Sequence, residues 1–174
     1  MDQAKNLTVK EIFDLALKNH LEKNLNDAQD LYNQVLKINP NHEGTHNNLG
    51  AIFEELQEYQ KAKECYEKAI TINPNRVDAH NNLGTIYKEL GEYQKAKECY
   101  EKAITINPNY EKAYFNQGNT YIDLGEYQKA IACYKKVIEL NPNYADAHCN
   151  LVSTLLEQSK FEEAEANYQK AIAL

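Results

Sequence analysis

The sequence predicts an all-α solenoid of five helix–turn–helix repeats, with about ten antiparallel helices. The first observation is a regular spacing of 34 residues between the chain's four prolines, Pro40, Pro74, Pro108 and Pro142. The second is identity between copies, because residues 58–75 and 92–109 have the same letters. The third is an apolar spacing of helical period within each copy. Stacked copies of one unit present long surfaces and seldom enclose a catalytic pocket.

The chain is interpreted as a single domain over residues 1–174, in which an Asn-Pro turn marks the end of each unit. The units are 9–42, 43–76, 77–110, 111–144 and 145–174, the last of which stops before its Asn-Pro turn. Proline cannot continue a helix, so each Asn-Pro-Asn tripeptide ends a second helix and leads into the next unit.

Local signals mark the helix ends within the units. Thr8 followed by Glu11 has the form of a capping box and predicts the start of the first helix. Gly91 and Gly125 mark the break between the two helices of the third and fourth units. In the last unit the apolar stripe that includes Tyr168, Ala171 and Ile172 has no later helix to cover it. That stripe predicts either a longer protein or an end that packs against a partner or a second copy.

Composition excludes several classes of partner. Acidic residues outnumber basic ones by 26 to 19, the formal charge is −7, and Arg76 is the chain's single arginine. Nucleic acids reward clustered Arg and Lys, so we expect no nucleic-acid partner. No apolar run is long enough to span a membrane, and the N-terminus lacks the apolar segment of a signal peptide. We therefore expect a cytoplasmic protein without a membrane partner.

The cysteines and histidines follow the repeat. Cys65, Cys99 and Cys133 occupy one place in three successive units, which predicts buried, reduced thiols, because equivalent atoms of stacked helices lie too far apart for a disulfide. His46, His80 and His148 likewise share one place and lie on different helix pairs, too far apart for one zinc ion.

Catalytic signatures are missing from the sequence. There is no HExxH, CxxC or GxSxG motif and no phosphate-binding glycine loop. Cys149 has no convincing His-Asp arrangement that would activate its thiol. We therefore predict no catalytic residue, no metal site, no cofactor and no intrinsic catalysis.

The repeated letters resemble the tetratricopeptide repeat (TPR) pattern, which places a large residue, Leu-Gly, an aromatic, Ala, an aromatic, Ala and Pro at fixed positions. The second unit supplies His46, Leu49, Gly50, Phe53, Ala62, Tyr66, Ala69 and Pro74. The third unit matches throughout, the fourth has Gln117 in place of the leucine, and the end units are looser. The resemblance covers nearly the whole chain and implies a right-handed superhelix whose first helices line a concave groove.

One groove position is asparagine in four consecutive units: Asn48, Asn82, Asn116 and Asn150. We call this set the asparagine ladder. Asparagine is unfavourable inside helices, so four copies in register need a reason. A primary amide can bond the N–H and the C=O of an extended peptide together. The alternative is that these letters are inherited from recent duplication and have no function.

The ladder is similar to that of the TPR arm of protein O-GlcNAc transferases, in which groove asparagines hold the substrate backbone. The strings 77–84 and 145–151 carry this similarity, and Asp78 and Asp146 match its groove aspartates. Gly44 and Lys112 depart from it, so an aspartate ladder is incomplete here. The further groove candidates beside the ladder are Asn47, Asn81, Asp78, Asp146, Lys112, Phe115 and Asn119.

A second TPR site, the carboxylate clamp for acidic chaperone tails, is rejected. Asn82 and Lys112 fit it, but Asn47, Ala51 and Asn116 occupy its other three places. The remaining groove residues lean acidic: Glu54, Glu55, Asp78, Glu89, Asp123, Asp146 and Glu157, against Lys88 and Lys112. Such a surface favours a neutral-to-basic extended peptide, although charges on helices are usually only solvated.

The sequence therefore predicts a protein-interaction scaffold that binds an extended peptide segment of a protein partner along its ladder. One alternative is the substrate-recruiting arm of a larger enzyme, such as a glycosyltransferase with its catalytic domain beyond residue 174. Another is self-association through the C-terminal repeat.

Overall fold

The computed structural model describes residues 7–171, with side chains up to Gln169. Within that range the chain forms ten α-helices and no strand. They are α1 (Val9–Leu21), α2 (Leu25–Ile38), α3 (Glu43–Glu55), α4 (Tyr59–Ile72), α5 (Val77–Glu89), α6 (Tyr93–Ile106), α7 (Glu111–Asp123), α8 (Tyr127–Leu140), α9 (Ala145–Glu157) and α10 (Phe161–Ala171). The all-α prediction and the number of helices are confirmed. None of these described helices is long and apolar enough to cross a membrane.

The predicted capping box is present at the start of α1. The Glu11 N–H donates to Thr8 Oγ1 at 3.3 Å, and the Thr8 N–H donates to Glu11 Oε2 at 2.8 Å. The bonds that the Thr8 N–H and the Thr8 hydroxyl donate to the Glu11 carboxylate lower its pKa, since they favour its charged form.

A left-handed residue closes every turn between paired helices. The residues with positive φ are Lys23, Gln57, Gly91, Gly125 and Ser159, each 34 residues from the next. At Gly91, whose φ is 75°, the following Glu92 N–H donates to the Tyr87 carbonyl at 2.8 Å, while the Gly91 N–H donates to the Lys88 carbonyl at 2.9 Å. This Schellman geometry satisfies the last carbonyls of the helix.

The Asn-Pro-Asn turns use their first asparagine as an acceptor. Asn107 Oδ1 accepts the N–H of Asn109 at 3.1 Å, and the same bond recurs at Asn39, Asn73 and Asn141. These side-chain turns mimic a backbone turn and fix the entry into the next unit.

Three histidines tie the following helix to that turn. His46, His80 and His148 each donate a ring N–H to the carbonyl of the proline six residues earlier, at 2.9, 2.9 and 2.8 Å. This bond from the helix to the turn explains why histidine recurs at the same position of the three repeats. In residues 7–171 no three His, Cys, Asp or Glu side chains come together as metal ligands.

Two compact units make up the chain, Met1–Ile86 and Tyr87–Leu174, here called the N-terminal and C-terminal units. In the N-terminal unit α1 pairs with α2 and α3 pairs with α4 around a core that contains Ala28, Tyr32 and Ile52. Gly50 lies against the Tyr66 ring, and a Cβ there would be 2.6 Å from a ring carbon. The glycine is needed for this close approach.

The C-terminal unit contains the paired helices α7 and α8, then α9 and α10, with α6 packed on α7. Its core includes Ala130, Tyr134, Leu151 and Leu155, all essentially without solvent exposure. Gly118 approaches the Tyr134 ring as Gly50 approaches Tyr66, with a Cβ-to-ring distance of 2.7 Å.

Candidate functional site

In the N-terminal unit the ladder asparagines bond to buried tyrosine hydroxyls of the preceding repeat. Asn48 Nδ2 donates to the Tyr32 hydroxyl at 3.0 Å, and the Asn82 side chain also interacts with the Tyr66 hydroxyl. Tyr66 in turn donates its hydroxyl proton to Glu54 Oε2 at 2.7 Å. Burial raises the pKa of both phenols, so they remain neutral donors and acceptors.

The neighbouring candidates Asn47 and Asn81 are almost completely buried, at 6% and 5% exposure. Asn81 Nδ2 donates to Asn82 Oδ1 at 3.2 Å, and Asn47 Nδ2 lies 3.4 Å from Asn48 Oδ1. Their position therefore suits them to orient the ladder amides rather than to meet a ligand.

In the C-terminal unit three side chains form one closed network. The Tyr134 hydroxyl donates to Asn119 Oδ1 at 2.7 Å, and Asn150 Nδ2 donates to the same oxygen at 3.0 Å. Asn150 also bonds to the Tyr134 hydroxyl, which opposes the effect of burial, yet burial still raises the tyrosine pKa to about 12. The ring that holds this hydroxyl is fully buried, so the network has a rigid base.

This network fixes which polar groups remain available. An amide has one acceptor oxygen and two N–H donors. The Asn119 oxygen is already occupied twice, which leaves its N–H groups, whereas the Asn150 N–H groups are occupied and leave its oxygen. One donor group and one acceptor therefore lie side by side, as required for the C=O and N–H of a peptide.

Both asparagines line a cleft of about 470 Å³ formed by α7, α8, α9 and the end of α5. Tyr134 lies at its base, and Ile122 and Tyr127 supply apolar surface. The volume is within the usual range for ligand sites, roughly 300–1,000 Å³. This cleft is the strongest candidate site in the described part of the chain.

The charged lining of the cleft is Lys88, Asp123 and Glu157. Lys88 Nζ lies 3.2 Å from Asp123 Oδ2 and 3.9 Å from Glu89 Oε1. Glu157 is exposed and forms no ion pair with any residue the structure describes. The three lining groups have a net charge of −1 at neutral pH.

Two acidic groove candidates of the N-terminal unit, Glu55 and Asp78, already have cationic partners. Glu55 Oε2 lies 2.8 Å from Lys23 Nζ, and Glu55 Oε1 lies 3.1 Å from the His20 ring. The bond from Lys23 is the main cause of a lowered pKa at the Glu55 carboxyl. Asp78, predicted as a groove residue, pairs with Arg76 Nε at 2.9 Å.

The other predicted residues are dispersed. Asp146 and Lys112 are exposed near the starts of α9 and α7. Phe115 packs against Tyr134 and Tyr144, with ring centroids 5.9 and 5.1 Å apart, and is partly buried against the core cluster. Asn116 is half-buried on α7.

All four cysteines are free. Cys133 is buried and Cys65 is half-buried, and burial raises the pKa of each thiol to about 11. Thiols of this kind are poor nucleophiles at neutral pH, because the thiolate is scarce.

Sequence reasoning missed the bond between the ladder and the tyrosines, although a signal exists. Every ladder asparagine follows a buried tyrosine by 16 residues, from Tyr32–Asn48 to Tyr134–Asn150. It also missed Arg76, whose guanidinium joins Glu43 Oε1 at 2.9 Å as well as Asp78. A single arginine has no repeat pattern to indicate its role.

Comparison with protein families identifies the repeat. Tetratricopeptide repeat models match residues 45–76, 77–110, 99–132 and 145–174, and a TPR repeat model matches 118–151. The chain is built from tetratricopeptide repeats. A comparison of this TPR chain with curated proteins gives no match.

Several solved structures have the same fold as this TPR chain. MamA is 26% identical over 91% of this chain and 92% of its own, with a TM-score of 0.82. The pilF protein of Pseudomonas aeruginosa is 21% identical over 95% and 75% of the two chains, with a TM-score of 0.88. YrrB, described as a TPR protein with an unusual peptide-binding site, is 23% identical over 95% and 86%, with a TM-score of 0.73.

Proposed function

We propose that this TPR chain is a protein-interaction scaffold that binds an extended peptide segment, with the cleft of the C-terminal unit as its principal site. The observation behind the proposal is the orientation of two amides, in which Asn119 keeps N–H donors and Asn150 keeps an acceptor. Together they complement the N–H and C=O of one residue in an extended chain, which point to the same side, without selecting its side chain.

Three further observations support this proposal. The bonds to Tyr134 hold both amides in place before binding, which reduces the entropy cost of association. In the N-terminal unit, Asn48 and Asn82 each use one N–H on a tyrosine and retain a second. YrrB, a TPR protein, has a peptide-binding site, which places peptide binding within the range of this fold.

Catalysis has no part in the proposal. Burial raises the pKa of the Cys65 and Cys133 thiols, and the cleft's charged groups are the two carboxylates and the lysine. Backbone recognition of this kind is the mode that the similarity to O-GlcNAc transferase arms implies, and a recruiting arm for a larger enzyme would use the same cleft.

Self-association through the C-terminal repeat stays a second prediction with one specific observation in its favour. Tyr168 is 51% exposed, whereas its counterparts Tyr32, Tyr66, Tyr100 and Tyr134 are buried. Ile172, the other member of the predicted stripe, lies outside the described residues, as does the side chain of Ala171.

The test is a selection of random twelve-residue peptides displayed on phage, with the parent chain and two variants as targets. Asn119→Asp keeps the oxygen that Tyr134 and Asn150 need but removes the N–H groups of this cleft-lining residue. Ser153→Asp adds the same charge to the same cleft and leaves Asn119 intact. Circular dichroism confirms that all three are folded.

We expect the parent and Ser153→Asp to enrich related peptides and Asn119→Asp to lose them. Enrichment that is equal for all three proteins, or absent with the parent, would contradict binding through these amides.

A further inference from the structure

We propose that the cleft of the C-terminal unit holds one basic side chain of the bound segment, arginine in preference to lysine, between Asp123 and Glu157. This inference rests on the proposed function and assigns a specificity to the same site. The C=O and N–H of one bound residue lie on Asn119 and Asn150, and a neighbouring side chain enters the acidic part of the cleft.

Two acidic groove candidates of the N-terminal unit, Glu55 and Asp78, already have cationic partners. In the N-terminal unit Glu55 contacts both Lys23 and His20, and Asp78 contacts Arg76. A ligand cation would have to displace a fixed partner at either place. These two carboxylates are therefore less available to a basic ligand than an unpaired carboxylate would be.

The cleft has two carboxylates, Asp123 and Glu157, for one cation, Lys88. Asp123 shares Lys88 with Glu89, at 3.2 and 3.9 Å, and Glu157 has no ion pair with any described residue. A basic side chain would bring the three charged lining groups from −1 to neutrality. A peptide carboxylate would meet two like charges, so the cleft selects against acidic segments.

The cleft suits both the methylene groups and the charged group of a long basic side chain. Ile122 and Tyr127 line the same cleft and can pack on the methylene groups of a long basic side chain. A guanidinium presents a planar set of five donors and stacks on aromatic rings, whereas an ammonium is a compact, strongly hydrated charge. These properties favour arginine beside Tyr127.

The test uses the peptide most enriched by the parent chain and a copy in which its basic residue is glutamine. Both are titrated against the parent, Glu157→Gln and Lys88→Gln, and against Glu98→Gln, which removes an exposed carboxylate of the same unit outside the cleft. These combinations form double-mutant cycles that isolate the pairwise interaction.

We expect Glu157→Gln to weaken binding of the basic peptide about threefold, as for a partly exposed ion pair, and to leave binding of the glutamine peptide unchanged. Lys88→Gln removes a cation that competes for Asp123, so it should strengthen binding of the basic peptide. Glu98→Gln should change the binding of neither peptide. Opposite signs at Glu157 and Lys88 cannot come from a general loss of structure.

Failure of this inference is distinguishable from failure of the proposed function. Selected peptides without an enriched basic position, or equal weakening of both peptides by Glu157→Gln, would overturn the basic side-chain site and leave peptide binding intact. A parent chain that selects no peptide would overturn both.

Discussion

Removing single tyrosine hydroxyls gives a graded series of stability losses that follows from the ladder's hydrogen bonds. Tyr32, Tyr66 and Tyr134 are all fully buried, so replacement by phenylalanine leaves the packing of each ring unchanged. The variants differ in what the lost hydroxyl was bonded to, which makes the series an internal comparison.

The magnitudes follow from those bonds. Tyr32→Phe removes one bond, from Asn48, and is expected to cost about 0.5–1 kcal/mol. Tyr134→Phe removes the bonds to Asn119 and from Asn150 and should cost about 1–2 kcal/mol. Tyr66→Phe removes a bond to the Glu54 carboxylate as well as one from an amide, and bonds to charged groups are the stronger ones, so about 2–3 kcal/mol is expected.

The assay is urea unfolding monitored by circular dichroism, and the transition midpoint gives the change in stability. An unchanged dependence of the unfolding free energy on urea concentration shows that the same cooperative unit unfolds in each variant. We expect the order Tyr66→Phe, Tyr134→Phe, Tyr32→Phe from the largest loss to the smallest. Equal losses in all three, or the largest loss at Tyr32, would refute the assignment of these bonds.

Two other predictions concern stability. Gln57 has φ 59°, so Gln57→Gly should raise the free energy of unfolding by about 0.5 kcal/mol. Gly91→Ala should lower it by about 1 kcal/mol, because alanine is strained at positive φ. Urea unfolding measures both changes, and the reverse signs would contradict the left-handed turns. The pKa of Glu55 is lowered in the folded chain, so the contribution of its pairs is present above about pH 4.5 and is lost as the pH falls below that value. Lys23→Gln should therefore cost less than about 1 kcal/mol at pH 7 and progressively less as the Glu55 carboxyl becomes protonated, and a difference that persists after its protonation would count against the ion pair.

The repeat architecture was predictable because its signals recur. The Asn-Pro-Asn turns and the break at Gly91 mark helix ends at a fixed interval, and backbone geometry depends on such local signals. The same left-handed turns at Lys23 and Gln57 follow only from the repeat register, since neither residue is typical of that conformation.

The site was predictable only in part. The ladder positions could be placed on first helices, but the choice of hydrogen-bond partner depends on how repeats pack. In the sequence, Asn47 and Asn81 have polar neighbours and were predicted to line the groove. Helix packing instead buries both side chains. Likewise, helical spacing does not say that Arg76 reaches Asp78 or that Lys88 reaches Asp123, because long side chains choose among several partners.

Binding of a peptide backbone by the C-terminal cleft is the central claim, and side-chain amide NMR tests it most directly. The chain labelled with ¹⁵N is titrated with the peptide that the parent selects most strongly, and the Asn119 and Asn48 amide signals are compared. We expect a large shift at Asn119, whose N–H groups donate to the peptide carbonyl, and we expect Asn119→Asp to abolish binding while the chain stays folded. A shift confined to α10, or an unchanged Asn119 signal at saturation, would contradict this claim.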